Sequence, residues 1–196
     1  MPSVILGLKQ EQNLHVSADG QWRENTYIPA YVRRYPFIII ENPDTDVRML
    51  GIDEASETFL EQGSCVEAQS FFDDNRAPTP PARHAMAFCE AYHQDQPRTR
   101  AFVNALTEQD LLVSKSANVT LPDASHYRLE GFLTVDPNRL KALPGNTLAL
   151  WEDKGWLAAI HLHLASMQNW NLLLNLYTQL NPGRSRNDDT VQRISY

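Results

Sequence analysis

Apolar residues recur at helical spacing through the C-terminal part of the chain. The recurring positions are Trp156, Leu157, Ile160, Leu164, Met167, Leu174 and Tyr177. Their spacings of three, four and seven align one broad apolar stripe along a helix. The pattern predicts a long helix over residues 156–177, interrupted where Asn171 follows Trp170. We expect this helix to be an internal element held between two β-ribbons.

Short β-type runs dominate the beginning of the chain. Val4 to Leu8 and Asn13 to Val16 are such runs, and Asp19-Gly20 is a typical hairpin turn that leads to Trp22. The chain is therefore predicted to begin as an antiparallel hairpin.

A second hairpin is predicted where Phe37 to Ile40 is followed by Val47 to Ile52. Two prolines precede it. Pro29 suits the start of a short helical turn, and Pro36 biases Tyr35 towards extended geometry.

The middle of the chain is acidic and rich in proline. Residues 77–81, Ala-Pro-Thr-Pro-Pro, predict a stiff, extended connector. A helical pattern follows over residues 82–93. Proline interrupts a helix because it lacks an amide hydrogen, so Gln96-Pro97 is expected to end this helix. A second helix through Phe102 and Leu106 is predicted to end near Asp110.

A third hairpin is predicted from Leu112 to Leu121 and from His126 to Asp136, around a turn at residues 122–125. Val119 and Leu121 share its apolar face. Helices should follow, because Asp136-Pro137 is a typical helix start and Pro144-Gly145 a stop. Asn146 or Thr147 is the predicted cap of the next helix, and Gly155 suits a left-handed helix end.

These elements predict an α+β fold with antiparallel β-hairpins forming a sheet packed against a long C-terminal helix and shorter helices. Residues 1–180 are expected to form one domain, and residues 181–196 a polar, flexible C-terminal tail. The length of 196 residues is enough for a real hydrophobic core.

Composition narrows the functional classes. The formal net charge is -7, with 42% hydrophobic and 21% charged residues. This negative net charge disfavours binding to nucleic acid, because contacts with phosphates require a concentrated basic face. No apolar run approaches the length of a membrane span and no secretory leader is evident, so we expect a cytoplasmic protein without membrane insertion. The two cysteines, Cys65 and Cys89, are expected to be free thiols.

Local motifs indicate no catalytic residues, cofactor or metal. His161 and His163 lie about 200° apart on a helix, so we expect them to be structural and not to share one ion. Cys89 and His93 share a helical face near His84. That group could form part of a metal site or an activated cysteine, but a buried thiol beside a surface histidine explains it as well.

The segment from Tyr27 to Tyr35 is the candidate binding site. Arg33 and Arg34 stand among Tyr27, Tyr31 and Tyr35 in an otherwise acidic protein. Guanidinium groups beside aromatic rings can hold a carboxylate or phosphate in forked geometry. These five residues are therefore predicted to bind a partner or an anion. The alternative is an internal ion pair between the arginines and the acidic loop.

Several ordered motifs resemble the bacterial SapC family. They are Leu6-Gly7-Leu8, Asn13-Leu14, the run from Tyr27 to Phe37, Gly51-Ile52-Asp53, Gly131-Phe132, Gly155-Trp156-Leu157 and His163-Leu164 followed by Ser166-Met167. The resemblance implies an association with surface-layer (S-layer) assembly or transport. It also implies genomic company with outer-membrane receptors and flavin-dependent halogenases. It carries over no catalytic residue.

Three functional hypotheses follow. The first is a non-enzymatic, soluble SapC-like protein that binds a protein or peptide partner, in connection with cell-surface or outer-membrane receptor systems. The second is an enzyme, such as a metal-dependent oxygenase-like protein, whose histidine and carboxylate ligands are distant in sequence. The third is a structural component of a surface assembly that forms a homo-oligomer.

Overall fold

The computed structural model describes residues 1–42, 44–45, 48–58, 60, 68–121 and 126–181. It confirms the α+β class: short helices and a long C-terminal helical segment accompany antiparallel hairpins. The hairpins form separate two-stranded sheets. The chain divides into a first unit, Met1–Glu24 with Ala101–Tyr196, and a second unit, Asn25–Arg100. That residues 1–180 form one domain stays a prediction, and residues 182–196 of the predicted tail lie outside the described part.

The second unit begins with the predicted helical turn and hairpin. Helix α1 is Ala30–Arg33, preceded by Pro29 as predicted. Strands β1, Phe37–Glu41, and β2, Arg48–Ile52, pair antiparallel. Val47, the predicted first residue of the second strand, lies outside the described residues.

The ribbon of β1 and β2 is tied to a long helix at the end where β1 finishes and β2 begins. Helix α2 is Pro80–Glu108. Glu41 and Arg48 face each other in the register of the ribbon. Nε2 of His93 lies 2.9 Å from the Glu41 carboxylate, and Arg48 forms an ion pair with Glu90, so both strands contact α2 through polar side chains.

Helix α2 corrects two sequence predictions. It begins at Pro80, inside the segment predicted to be an extended connector, because proline in the first turn removes no helical hydrogen bond. Pro97 lies inside the helix and does not end it. One missing amide is tolerated because the helix buries side chains on both sides of Pro97, with Cys89 before it and Leu106 after it.

The N-terminal hairpin prediction is right in its turn and wrong in its strands. Gly20 has a φ of 80°, and the Ser17 carbonyl accepts the Gly20 amide at 3.0 Å, as in a three-residue hairpin loop that ends on a left-handed glycine. Residues 1–24 contain only an isolated bridge between Val16 and Trp22 and no regular strand. Leu8 and Leu14 are nevertheless buried, because irregular backbone also delivers apolar side chains to the core of the first unit.

The third predicted hairpin is confirmed. Strands β3, Leu112–Thr120, and β4, His126–Val135, pair antiparallel. Val119 and Leu121 are buried on the predicted face. The predicted turn at residues 122–125 lies outside the described part of the chain.

Five helical elements complete the first unit. They are α3 Pro137–Lys141, α4 Gly145–Asp153, α5 Trp156–Ser166, a 3-10 turn Met167–Asn169 and α6 Trp170–Leu180. Asp136 caps α3 as predicted, accepting the Asn138 amide at 2.8 Å. Pro144 precedes α4, so the predicted cap at Asn146 or Thr147 is wrong: Pro144 already supplies extended backbone, with a ψ of 145°. Gly155, with a φ of 69°, confirms the left-handed end of α4.

The predicted C-terminal helix consists of two α-helices joined by a 3-10 turn. The 3-10 turn separates α5 from α6 immediately before Trp170, close to the predicted interruption. Buried residues of α6 pack with β3 and the N-terminal segment in one apolar cluster, and α5 contributes Ile160 to another. The helix is therefore part of the core of the first unit, as its apolar stripe predicts.

Candidate functional site

The candidate site lies in the second unit and begins with the single helical turn α1. The carbonyl of Pro29 accepts the amides of Val32 and Arg33 at 2.9 and 3.0 Å. This turn projects Tyr31 and the two arginines from a short stretch of backbone. Tyr27, Tyr31 and Tyr35 keep 74%, 66% and 56% of their surface exposed. The sequence-predicted residues therefore form an exposed aromatic and cationic surface.

Helix α2 supplies two further rings to this surface. Phe88 and Tyr92 are four residues apart, so they lie on one face of the helix, one turn from each other. Each ring meets one of the two arginines. The guanidinium carbon of Arg33 lies 5.2 Å from the centre of the Phe88 ring, and that of Arg34 lies 5.0 Å from the centre of the Tyr92 ring.

Each arginine also contacts a tyrosine that precedes it. The guanidinium carbon of Arg33 lies 5.4 Å from the Tyr27 ring centre, and that of Arg34 lies 5.0 Å from the Tyr31 ring centre. Both guanidinium groups are thus within cation–π distance of two rings, one from the Tyr27–Tyr31 segment and one from α2. We call this arrangement the paired arginine stack. Tyr35 is exposed and belongs to neither stack.

The stacked arginines retain hydrogen-bonding capacity. Arg33 donates from Nη2 to the hydroxyl oxygen of Tyr27 at 3.2 Å. Nε of Arg34 is buried and has no hydrogen-bond partner among the described residues. Among the described residues, neither Arg33 nor Arg34 forms an ion pair. Glu61 and Glu67 of the acidic loop lie outside the described residues.

A groove adjoins the paired arginine stack. It has a volume of about 750 Å³, and its lining includes Arg33, Arg34, Phe37, Phe71, Phe88 and Cys89. The rings of Phe37 and Phe71 lie with their centres 5.5 Å apart. The groove therefore combines an aromatic wall with positive charge, and it lies entirely within the second unit.

Sequence reasoning identified the arginines and tyrosines but missed three rings: Phe88 and Tyr92 of α2, and Phe71 of the groove. Phe88 and Tyr92 carry a local signal, since they share a face of the predicted helix over residues 82–93. Nothing in that signal places the face against Arg33 and Arg34. Phe71 belongs to a stretch without periodicity and offers no local signal.

Cys89 lines the groove as a buried thiol. Only 1% of its surface is exposed. Burial raises the pKa of the Cys89 thiol, and the positive charge of Arg34 opposes this effect only in part. The thiolate is therefore disfavoured, which is the reverse of what nucleophilic catalysis needs.

The histidines near Cys89 occupy different settings. His84 is exposed at the groove, and Nε2 of His93 lies 2.9 Å from the Glu41 carboxylate. In the part of the chain that the structure describes, no three His, Cys, Asp or Glu side chains converge as a metal-binding group.

His161 and His163, in the first unit, do not converge either. His161 is exposed, and Nε2 of His163 accepts the backbone amide of Val135 at 3.3 Å. His163 therefore makes a structural contact with strand β4, as expected. Over the described ranges, the longest helices lack the apolar length that spanning a membrane demands.

Comparison with models of protein families shows which family this chain belongs to. The model of the SapC family matches residues 1–173. The chain belongs to the SapC family. The match includes the Tyr27–Phe37 segment and the Phe88 and Tyr92 face of α2, so the paired arginine stack lies within the SapC region. Curated proteins and solved structures gave no match to the chain.

Proposed function

We propose that this SapC family protein binds a protein or peptide partner and does not catalyse a reaction. Tyr27, Tyr31, Arg33, Arg34 and Tyr35 form the binding surface. The observation that carries the proposal is the paired arginine stack, whose guanidinium groups are held in place by rings while a buried donor of Arg34 has no partner among the described residues.

The stack prepares the arginines for recognition. A free arginine loses rotamer entropy when it binds, whereas a side chain already held between rings loses less. A guanidinium group has five N–H donors, and among the described residues Arg33 uses one of them, on the Tyr27 hydroxyl. The arginines are therefore preorganised for a carboxylate.

The exposed tyrosines support a partner larger than a simple ion. Tyrosine combines apolar area with a hydroxyl, and it is enriched with arginine at protein interfaces. Three tyrosines that are more than half exposed flank the arginines. A simple inorganic anion would contact the arginines and leave the exposed surface of these tyrosines uncovered.

Charge also favours an acidic partner segment. The whole chain has a formal net charge of -7. Two arginines without a carboxylate neighbour among the described residues form a local positive site on this background. Electrostatic complementarity then selects a partner by the acidic group that it places at the stack.

Panning a random peptide library against the immobilised protein tests the proposal. We expect a recurrent motif to be enriched. The double variant R33A/R34A should bind the enriched peptides at least tenfold more weakly, since buried arginines at interfaces commonly contribute about 2 kcal/mol or more. Affinity measured by fluorescence polarisation gives the comparison.

The matched control is R98A on the same helix as Phe88. Among the described residues, Arg98 forms an ion pair only with Asp95, at 3.2 Å, and its side chain is 80% exposed. This variant should bind like the parent protein, and thermal melts of all variants should coincide within a few degrees. No enrichment of any motif, or equal binding by R33A/R34A and the parent, would refute the proposed surface.

A further inference from the structure

The groove beside the paired arginine stack restricts what the partner can present. Its volume of about 750 Å³ falls within the range of roughly 300–1,000 Å³ that is usual for small-ligand sites. A groove of this size accommodates one or a few residues of an extended chain. The part of the partner that enters it is therefore a short segment and not a folded surface.

The lining requires two chemical features in that segment. Phe37, Phe71 and Phe88 form an apolar wall, and Arg33 and Arg34 add positive charge beside it. An inorganic anion would use the arginines alone and gain nothing from the apolar lining. An apolar group without charge would bury the arginines further and leave Nε of Arg34 without an acceptor. The segment must combine an apolar side chain with a carboxylate.

The charged and apolar parts of the groove are adjacent. The guanidinium carbon of Arg33 lies 5.2 Å from the centre of the Phe88 ring. Neighbouring side chains of an extended peptide point to opposite sides, so an internal acidic residue and an apolar residue on one side are roughly 7 Å apart. A C-terminal carboxylate is attached to the Cα of the residue whose side chain contacts the wall. A single C-terminal residue therefore supplies both groups side by side.

We infer that the groove binds the C-terminal end of a peptide, with the terminal carboxylate on Arg33 and Arg34 and an apolar, preferably aromatic, last side chain against Phe37, Phe71 and Phe88. This inference rests on the proposed function and names the chemistry of its ligand. Capture of a terminal carboxylate is an established mode of peptide recognition. The forked guanidinium groups match its planar geometry.

Four labelled tetrapeptides test the inference by fluorescence polarisation. The first is Gly-Ser-Gly-Phe with a free carboxylate, and the second is the same peptide as its C-terminal amide. The third, Gly-Asp-Gly-Phe amide, carries an internal carboxylate instead. The fourth, Gly-Ser-Gly-Ala with a free carboxylate, removes the aromatic ring.

The free-acid phenylalanine peptide should bind at least tenfold more tightly than each of the other three. R33A/R34A should lose the preference for acid over amide, and R98A should keep it. The comparison among peptides on the parent protein requires no variant, so it stands even if R33A/R34A folds poorly. Equal binding of acid and amide, or tight binding of the internal-acid amide, would overturn the inference.

The same measurements separate this inference from the proposed function. Library peptides that bind through Arg33 and Arg34 without a preference for a terminal carboxylate would refute the inference and leave the peptide-binding function standing. A library without any enriched peptide, together with no binding of the four tetrapeptides, would refute both.

Discussion

At the scale of single residues, His163 shows how one side chain links a helix to a strand. Its Nε2 accepts the amide of Val135 at 3.3 Å, which requires the neutral ring with its hydrogen on Nδ1. Burial lowers the pKa of His163 from the ordinary value of 6.5. Both effects favour the uncharged form in the folded protein.

His163 should therefore make folding stability depend on pH. Its folded pKa lies below its unfolded pKa, so the unfolded state binds more protons between these two values. The stability from the neutral ring is complete above about pH 6.5 and decreases as the pH falls towards the folded pKa. Urea unfolding midpoints from pH 5 to 8 measure this effect.

The variant H163Q should lose this part of the pH dependence, because glutamine does not titrate. H161Q is the matched control, since His161 is exposed on the same helix. Its pH profile should follow that of the parent. If stability depended on pH in the same way for H163Q and the parent, the assignment of this pH dependence to His163 would be wrong.

At the scale of elements, the hairpin of β3 and β4 contains a bulge. Lys115 faces Phe132 and Ala117 faces Leu129, so Ser116 stands opposite two residues, Glu130 and Gly131. Gly131 has a φ of 81°, which residues with a Cβ rarely adopt. Glycine is needed here for its backbone conformation, since a Cβ would meet no atom within 4 Å.

G131A should lower the free energy of unfolding by about 1–2 kcal/mol because of this conformation. G145A is the control: a Cβ at Gly145 also meets nothing within 4 Å, but Gly145 begins α4 without a positive φ. That variant should be neutral or more stable by up to about 1 kcal/mol. Chemical denaturation distinguishes them, and equal effects would argue against the conformational explanation.

At the scale of the whole molecule, the first unit depends on one side of α6. Trp170, Leu173, Leu174 and Tyr177 are buried with Ala117, Val119 and Leu121 of the third hairpin and with Leu8 and Leu14. Burial joins segments that are distant in the chain, so the loss of one side chain leaves a cavity that several elements share.

L174A should destabilise the protein by about 2–5 kcal/mol, because a buried leucine loses contacts and leaves a cavity. Leu174 is 6% exposed, whereas Leu172 on the same helix is 64% exposed. L172A should change stability by less than about 0.5 kcal/mol. Denaturant unfolding of both variants provides the measurement, and similar losses would show that the two faces of α6 are not distinct.

Sequence alone determined the features that depend on neighbouring residues. The α+β class, the hairpins at residues 37–52 and 112–136, the Asp136 cap and the Gly155 helix end were predicted correctly. Periodicity, capping and turn chemistry act within about four residues along the chain. Arg33, Arg34 and the tyrosines could be recognised as one group because all of them lie between residues 27 and 35.

Only the tertiary structure decided the features that depend on distant contacts. Pro97 remains within α2 and the N-terminal runs form no regular strands, because packing can outweigh local preference in either direction. Phe88 and Tyr92 complete the paired arginine stack from a distant helix. Local pattern predicts that a helical face is apolar, but the chain path determines which arginine that face will meet.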